Sequence, residues 1–92
     1  MSKIVVACGA GVATSETVAN KLRRLLDQEG VKNCNIVATD MRSVDRELGD
    51  ADAFVYLAQP DKEYDVPVIN GVAFLTGIGQ KAEMDKLLAI VK

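Results

Sequence analysis

Residues 3–15, KIVVACGAGVATS, are the stretch of this 92-residue chain that is most informative about its fold. The apolar run at residues 4–7 predicts a buried β-strand, because β-branched side chains favour the extended backbone, and Cys8 follows at its end. Residues 9–13 are small, and their two glycines let backbone N–H groups converge with no side chains between them. A helical pattern begins near Ser15, so a helix N-terminus with its partial positive charge faces the same point. The stretch therefore predicts a strand, a cysteine, an anion-binding loop and a helix.

The overall composition excludes several classes of function. The formal net charge is -2 and the Lys and Arg residues are scattered, so the basic stripe of a nucleic-acid-binding protein is missing. No apolar run approaches the roughly 20 residues that cross a bilayer, and the first residues lack the charged-then-apolar order of a secretory signal. We therefore expect one domain over residues 1–92, located in the cytoplasm, with no nucleic-acid partner and no direct insertion into a membrane.

The chain contains no histidine, which removes the commonest general base and the commonest metal ligand. We expect neither a metal nor a cofactor. Cys8 is the strongest candidate nucleophile, because a nearby helix N-terminus favours the thiolate form of a cysteine. The alternative is that Cys8 is only a small, buried side chain at the end of a strand. Cys34 has no glycine loop after it, and we expect it to be structural.

An amphipathic helix is predicted over residues 16–30, where apolar side chains recur at helical spacing. Thr14 or Ser15 is expected to supply the N-cap oxygen. Glu16 is expected in the first turn, where its charge suits the helix dipole. Gly30 is expected at the C-terminal end, where a left-handed backbone is needed.

The remaining pattern predicts further strands and helices. Strands are expected at residues 33–40, 53–58 and 66–69. A short helix is expected at 41–50, with Ser43 as N-cap and Gly49 at its end, and a closing helix near 84–91. Residues 70–79 are apolar but interrupted by glycines, and we expect them to form a second wall beside the anion-binding loop. Asp61 and Asp65, in a polar loop, are candidate acids that we interpret as turn formers. This order predicts an α/β, three-layer fold, with a four-stranded, mainly parallel sheet in the order 2-1-3-4 and helices on both sides. Cys8 lies at the carboxyl end of the central first strand.

Residues 7–15, ACGAGVATS, resemble the IIB subunits of the phosphoenolpyruvate-dependent sugar phosphotransferase system (PTS), in particular those of galactitol type. The family pattern is a short apolar strand, Cys-Gly, three variable residues and Ala-Thr-Ser. Residues 65–79, DVPVINGVAFLTGIG, are similar as well, so the resemblance covers nearly the whole chain. It implies the Rossmann-like, phosphatase-like fold of a single IIB domain.

The resemblance also implies a function. Cys8 would take a phosphoryl group from a phosphohistidine of the IIA subunit and pass it, as a phosphocysteine, to a sugar or polyol held by the membrane subunit IIC. The substrate implied is galactitol-like, with ascorbate or pentitol systems as alternatives. Backbone N–H groups of the loop could hold the phosphoryl oxygens. The phosphate-binding residues are then Gly9, Ala10, Gly11, Val12, Ala13, Thr14 and Ser15.

Two other classes of function compete with the carrier. Small cysteine-dependent phosphatases also place a cysteine before a phosphate loop and a helix, but they carry Arg where this chain has Thr14. The missing guanidinium removes their bidentate phosphate clamp, which argues against hydrolysis. A redox domain would need a resolving thiol, and the sequence does not place Cys34 as a partner of Cys8.

Overall fold

The computed structural model of the chain describes residues 2–8, 12–31, 34–40, 42–57, 64 and 66–91. Its elements, in chain order, are β1 (Ser2–Cys8), α1 (Val12–Gln28), β2 (Cys34–Asp40), α2 (Val44–Glu47), a 3₁₀ turn (Leu48–Asp50), β3 (Ala53–Tyr56), β4 (Val68–Asn70), α3 (Val72–Thr76) and α4 (Gln80–Val91).

The four strands form one parallel sheet in the order β2-β1-β3-β4, which confirms the predicted order. The run at residues 4–7 is completely buried, as expected for a strand with a neighbour on each side and a layer on each face. The register sets Ser2 beside Cys34 at one end of β1 and Cys8 beside Asp40 at the other. Cys8 therefore lies at the carboxyl edge of the sheet.

Each face of the sheet has its own core, because alternate side chains of a strand point to opposite sides. Ile4 and Val6 belong to the larger core, which packs against α1, α3 and α4. Val5 and Ala7 belong to the smaller core, which packs against Val44 of α2. The result is the predicted three-layer α/β arrangement.

Helix α1 begins at Val12, earlier than the sequence pattern predicts. The predicted N-cap role of Thr14 and Ser15 is therefore wrong, since both lie inside the first turn, and Glu16 lies beyond that turn. The predicted end is confirmed. Gly30 has φ of 79°, its N–H donates to the Asp27 carbonyl at 3.1 Å, and Val31 N–H donates to the Leu26 carbonyl at 2.9 Å. These two bonds form the glycine-terminated end that satisfies the last carbonyls of a helix.

The segment after β2 is helical, as predicted, but the expected side-chain cap is not formed. Ser43 stands at the N-cap position of α2 without making a side-chain cap hydrogen bond in the described structure. The Asp40 carboxylate accepts the N–H groups of Arg42 and Ser43, in the turn that precedes the helix. Gly49 lies within the 3₁₀ turn that extends α2, so the predicted stop at this residue is wrong.

The later elements differ from prediction in their bounds and in one extra helix. Strand β3 ends at Tyr56 within the described residues, and Ala58 lies outside them. Strand β4 begins at Val68, after Pro67, which has no N–H to donate to a sheet. The predicted wall contains helix α3, which buries Ala73 and Phe74 and ends at Gly77 with φ of 82°.

Candidate functional site

Cys8 is the last residue of β1, and α1 begins four positions later in the sequence. Its exposed fraction is 6%, and strand alternation places it on the face that α1 covers. Both cysteines of the chain are thiols. The thiol of Cys8 therefore lies where the strand turns towards a helix N-terminus.

The N-terminus of α1 supplies hydrogen-bond donors near this edge of the sheet. In a helix that begins at Val12, the backbone N–H groups of Val12, Ala13 and Thr14 have no acceptor within the helix. These donors and the partial positive charge of the helix favour a bound anion. Four of the predicted phosphate-binding residues, Val12, Ala13, Thr14 and Ser15, thus form the first turn. The other three, Gly9, Ala10 and Gly11, lie outside the described residues.

The hydroxyl of Ser15 connects α1 to the sheet. Ser15 is completely buried, and its Oγ donates a hydrogen bond of 3.0 Å to the carbonyl oxygen of Thr39. Thr39 pairs with Ala7, the residue before Cys8. This bond holds the first turn of α1 against the carboxyl end of β2 and so fixes the helix N-terminus relative to β1.

Asp40 is a further residue at this edge, and none of the sequence motifs described above includes it. It is the neighbour of Cys8 in the parallel pairing of β1 with β2. Its Oδ1 accepts the N–H of Ser43 at 2.9 Å and that of Arg42 at 3.0 Å. These hydrogen bonds, led by that of Ser43, hold the pKa of Asp40 below its ordinary value, so the carboxylate is ionised at neutral pH. An aspartate at the end of a strand, three residues before a serine that opens a helix, is the pattern that could have indicated it.

Cys34 lies at the opposite edge of the sheet, where it pairs with Ser2. Cys34 and Asp40 are the two ends of the seven-residue strand β2. A rise of about 3.3 Å per residue therefore separates Cys34 from the Cys8 edge by roughly 20 Å. Burial, and next the nearby Asp52 carboxylate, raise the pKa of the Cys34 thiol. Cys34 is too far away to act as a resolving thiol for Cys8.

The remaining expectations concern the candidate acids, metal binding and membrane-spanning helices. Asp61 and Asp65, the candidate acids, lie outside the described residues. Within the described ranges, no group of three or more His, Cys, Asp or Glu side chains could hold a metal ion. No helix in the described part of the chain is long and apolar enough to cross a membrane.

The fold and the site together define a small parallel α/β domain that places a thiol at the carboxyl end of its central strand, beside a helix N-terminus. Residues 3–86 match the family described as "PTS system, Lactose/Cellobiose specific IIB subunit". The chain therefore belongs to the IIB subunit family of the sugar phosphotransferase system, as the sequence resemblance predicted. IIB components are phosphotransferases of sugar uptake.

Individual proteins that are similar to this chain are also named as IIB components. The chain is 31% identical over 91 residues to SgcB of Escherichia coli (strain K12), named as a phosphotransferase enzyme IIB component, with coverage of 99% of this chain and 98% of that one. It is 28% identical to the "PTS system galactitol-specific EIIB component" of the same strain, with coverage of 98% and 96%. The protein of that name in Shigella flexneri is 26% identical over the same shares. These likenesses confirm the predicted similarity to galactitol-type components.

Proposed function

We propose that Cys8 is the phosphoryl acceptor and donor of this IIB component. The observation that carries the proposal is the place of Cys8, at the end of β1 and four residues before the N-terminus of α1. Cysteine thiolates are strong nucleophiles, and a helix N-terminus stabilises both a thiolate and the phosphoryl charge that replaces it. A chain with no histidine must carry phosphate on another side chain.

The chemistry requires two transfers that balance without a metal. In the first, the Sγ–P bond of Cys8 forms while the N–P bond of a phosphohistidine on IIA breaks, and the thiol proton passes to the imidazole. In the second, a hydroxyl oxygen of the sugar attacks the same phosphorus. The Sγ–P bond breaks, and the hydroxyl proton returns to the sulfur.

The backbone of residues 9–15 is the proposed binding site for the transferred group. The N–H groups of Val12, Ala13 and Thr14 would donate to the phosphoryl oxygens, with those of Gly9, Ala10 and Gly11 completing the site before the helix. Ser15 would contribute as the residue that anchors this turn to Thr39.

The proposed partners are a IIA subunit, as phosphohistidine donor, and a membrane IIC subunit that holds the sugar. The chain would act in the cytoplasm at the surface of that membrane protein. The likeness to galactitol-specific EIIB components supports galactitol or a similar polyol as the substrate.

The proposal is tested by incubating the protein with a phosphorylated galactitol-type IIA protein and mapping the modification by mass spectrometry. We expect one phosphoryl group per chain, on Cys8, and none on the Cys8→Ser variant. Cys34→Ser is the matched control and should be phosphorylated normally, because Cys34 lies at the other edge of the sheet. Phosphate on another residue would contradict the proposal.

The same preparation separates a carrier from a phosphatase. Thr14 stands where a phosphatase has its arginine, so we expect negligible turnover of aryl phosphates. Removing one transition-state donor costs about a hundredfold or more in rate, and here the missing donor is a charged, bidentate one. Repeated turnovers that are lost in Cys8→Ser would reject the carrier in favour of the phosphatase.

A further inference from the structure

We propose that the Asp40 carboxylate destabilises the phosphocysteine electrostatically and so keeps Cys8 a strong phosphoryl donor. The inference rests on the proposed function of Cys8. It assigns to Asp40 a role in setting the balance between phosphorylated IIA and phosphorylated IIB, without any bond to the transferred group.

The backbone pairing places the two residues side by side. Cys8 and Asp40 are partners in the register of β1 and β2, and neighbouring parallel strands lie about 4.8 Å apart. Paired residues of parallel strands project to the same face, so the thiol and the carboxylate belong to one corner of the sheet. Thr39, the residue before Asp40, is itself held by the hydroxyl of Ser15. This corner is therefore fixed from both strands and from α1.

The carboxylate cannot easily turn away from this corner. Its Oδ1 is held by the N–H groups of Ser43 and Arg42, at 2.9 and 3.0 Å. Among the described residues, the Arg42 guanidinium forms an ion pair with Asp40, 4.0 Å from Oδ2, but the Arg42 side chain is 94% exposed. Such a solvated pair neutralises little charge. A phosphocysteine at position 8 would therefore meet a fixed negative charge.

The repulsion acts on both transfers with opposite effect. A phosphoryl group carries about two negative charges. Phosphorylation of Cys8 is therefore less favourable beside the Asp40 carboxylate than it would be beside an uncharged side chain. The thiol of the empty state meets less repulsion. When the Sγ–P bond breaks and the sugar oxygen takes the phosphorus, the repulsion is relieved. Asp40 thus opposes loading from IIA and favours unloading to the sugar.

The Asp40→Asn variant tests this inference, because an asparagine Oδ1 can still accept both N–H groups while the charge is removed. The measured quantity is the equilibrium constant for phosphoryl exchange between a galactitol-type IIA protein and this chain, from the intact masses of both. For a charge pair roughly 5 to 7 Å apart near the surface, we expect the constant to rise about 3- to 30-fold in favour of phosphorylated Asp40→Asn. The ratio to the parent chain should shrink at high salt.

Glu29→Gln is the matched control, because it removes the same charge at the other end of α1, at the turn that follows Gln28. Its exchange constant should stay within about twofold of the parent value, since exposed charges that far apart are screened. An unchanged constant in a folded Asp40→Asn, with phosphate on Cys8, would overturn this inference alone. A parent chain that takes no phosphate on Cys8 would instead reject the proposed function.

Discussion

Gly71 follows the last residue of β4 and packs against the end of the neighbouring strand β3. Its N–H donates to the carbonyl oxygen of Tyr56 at 2.7 Å, and the residue is buried. A Cβ at this position would lie 2.7 Å from Val55 Cγ1 and 2.8 Å from both Leu57 Cδ2 and the Tyr56 oxygen. Its φ of -71° is ordinary for any residue. Space, and not backbone conformation, therefore requires glycine here.

We predict that Gly71→Ala lowers the free energy of unfolding by about 1 to 3 kcal/mol, because the added methyl group must displace a backbone carbonyl that is fixed in the sheet. Urea denaturation measures the change. Gly49→Ala is the control, since a Cβ at Gly49 meets no atom within 4 Å, and its stability should be unchanged or slightly raised. Equal stability of the two variants would show that the β3–β4 corner accommodates the methyl group.

At the scale of secondary structure, α4 is attached to β4 through Glu83. The Glu83 carboxylate accepts the N–H of Asn70 at 2.7 Å and pairs with Lys86 at 2.8 Å, and its side chain is only 13% exposed. The hydrogen bond from Lys86, and then that from Asn70, hold the pKa of Glu83 below its ordinary value. Glu83 is therefore a hydrogen-bond acceptor between α4 and β4 and not only a charged side chain on the helix surface.

We predict that Glu83→Ala destabilises the fold by about 1 to 3 kcal/mol, because the Asn70 N–H loses its acceptor in a partly buried place. Glu83→Gln keeps an acceptor oxygen and should lose less. Lys86→Ala removes only the exposed member of the pair and should destabilise the fold less than Glu83→Ala. Thermal or urea unfolding of the three variants gives the order. A loss in Lys86→Ala as large as in Glu83→Ala would assign the effect to the ion pair.

At the scale of the whole molecule, the carboxylates determine how stability depends on pH. Hydrogen bonds from Ser43 and Arg42 lower the pKa of Asp40, and the Lys3 ammonium, 2.5 Å away, lowers the pKa of Asp50. Glu83 is lowered in the same direction. In acid the unfolded chain therefore binds more protons than the folded chain, and protonation favours unfolding.

We predict a free energy of unfolding that falls as the pH drops below about 4, where the unfolded carboxyls and then the folded ones take up protons. The contribution is fully present above the unfolded pKa values. Between pH 5.5 and 8 we expect little change, since the chain has no histidine to titrate there. Urea unfolding at pH 7, 5, 4 and 3 measures the profile. A decrease in the free energy of unfolding that falls mainly between pH 7 and 5 would contradict this prediction. In the Asp40→Asn variant, the free energy of unfolding should decrease less in acid than in the parent chain.

The class of fold and the place of the candidate nucleophile at the end of a strand could both be predicted from local sequence patterns. Short uninterrupted apolar runs predict buried strands, and apolar side chains 3.6 residues apart predict helices. The alternation of the two along the chain leads to a parallel sheet. The run before Cys8 was recognisable as a buried strand because it holds no charge over residues 4–7. Gly30 could be placed because its role depends only on the backbone of its own helix. These features are local, so a local pattern reveals them.

The tertiary structure alone decided what the polar side chains near the site do. Ser15 donates to Thr39, 24 positions away, and Glu83 accepts from Asn70, 13 positions away. Asp40 lies beside Cys8 only because β2 pairs with β1 in one register. A hydroxyl or carboxylate can cap its own helix or bind a distant backbone group, and the two differ little in local propensity. Which one forms depends on the packing of the sheet and its helices, because a buried polar group must find a partner there.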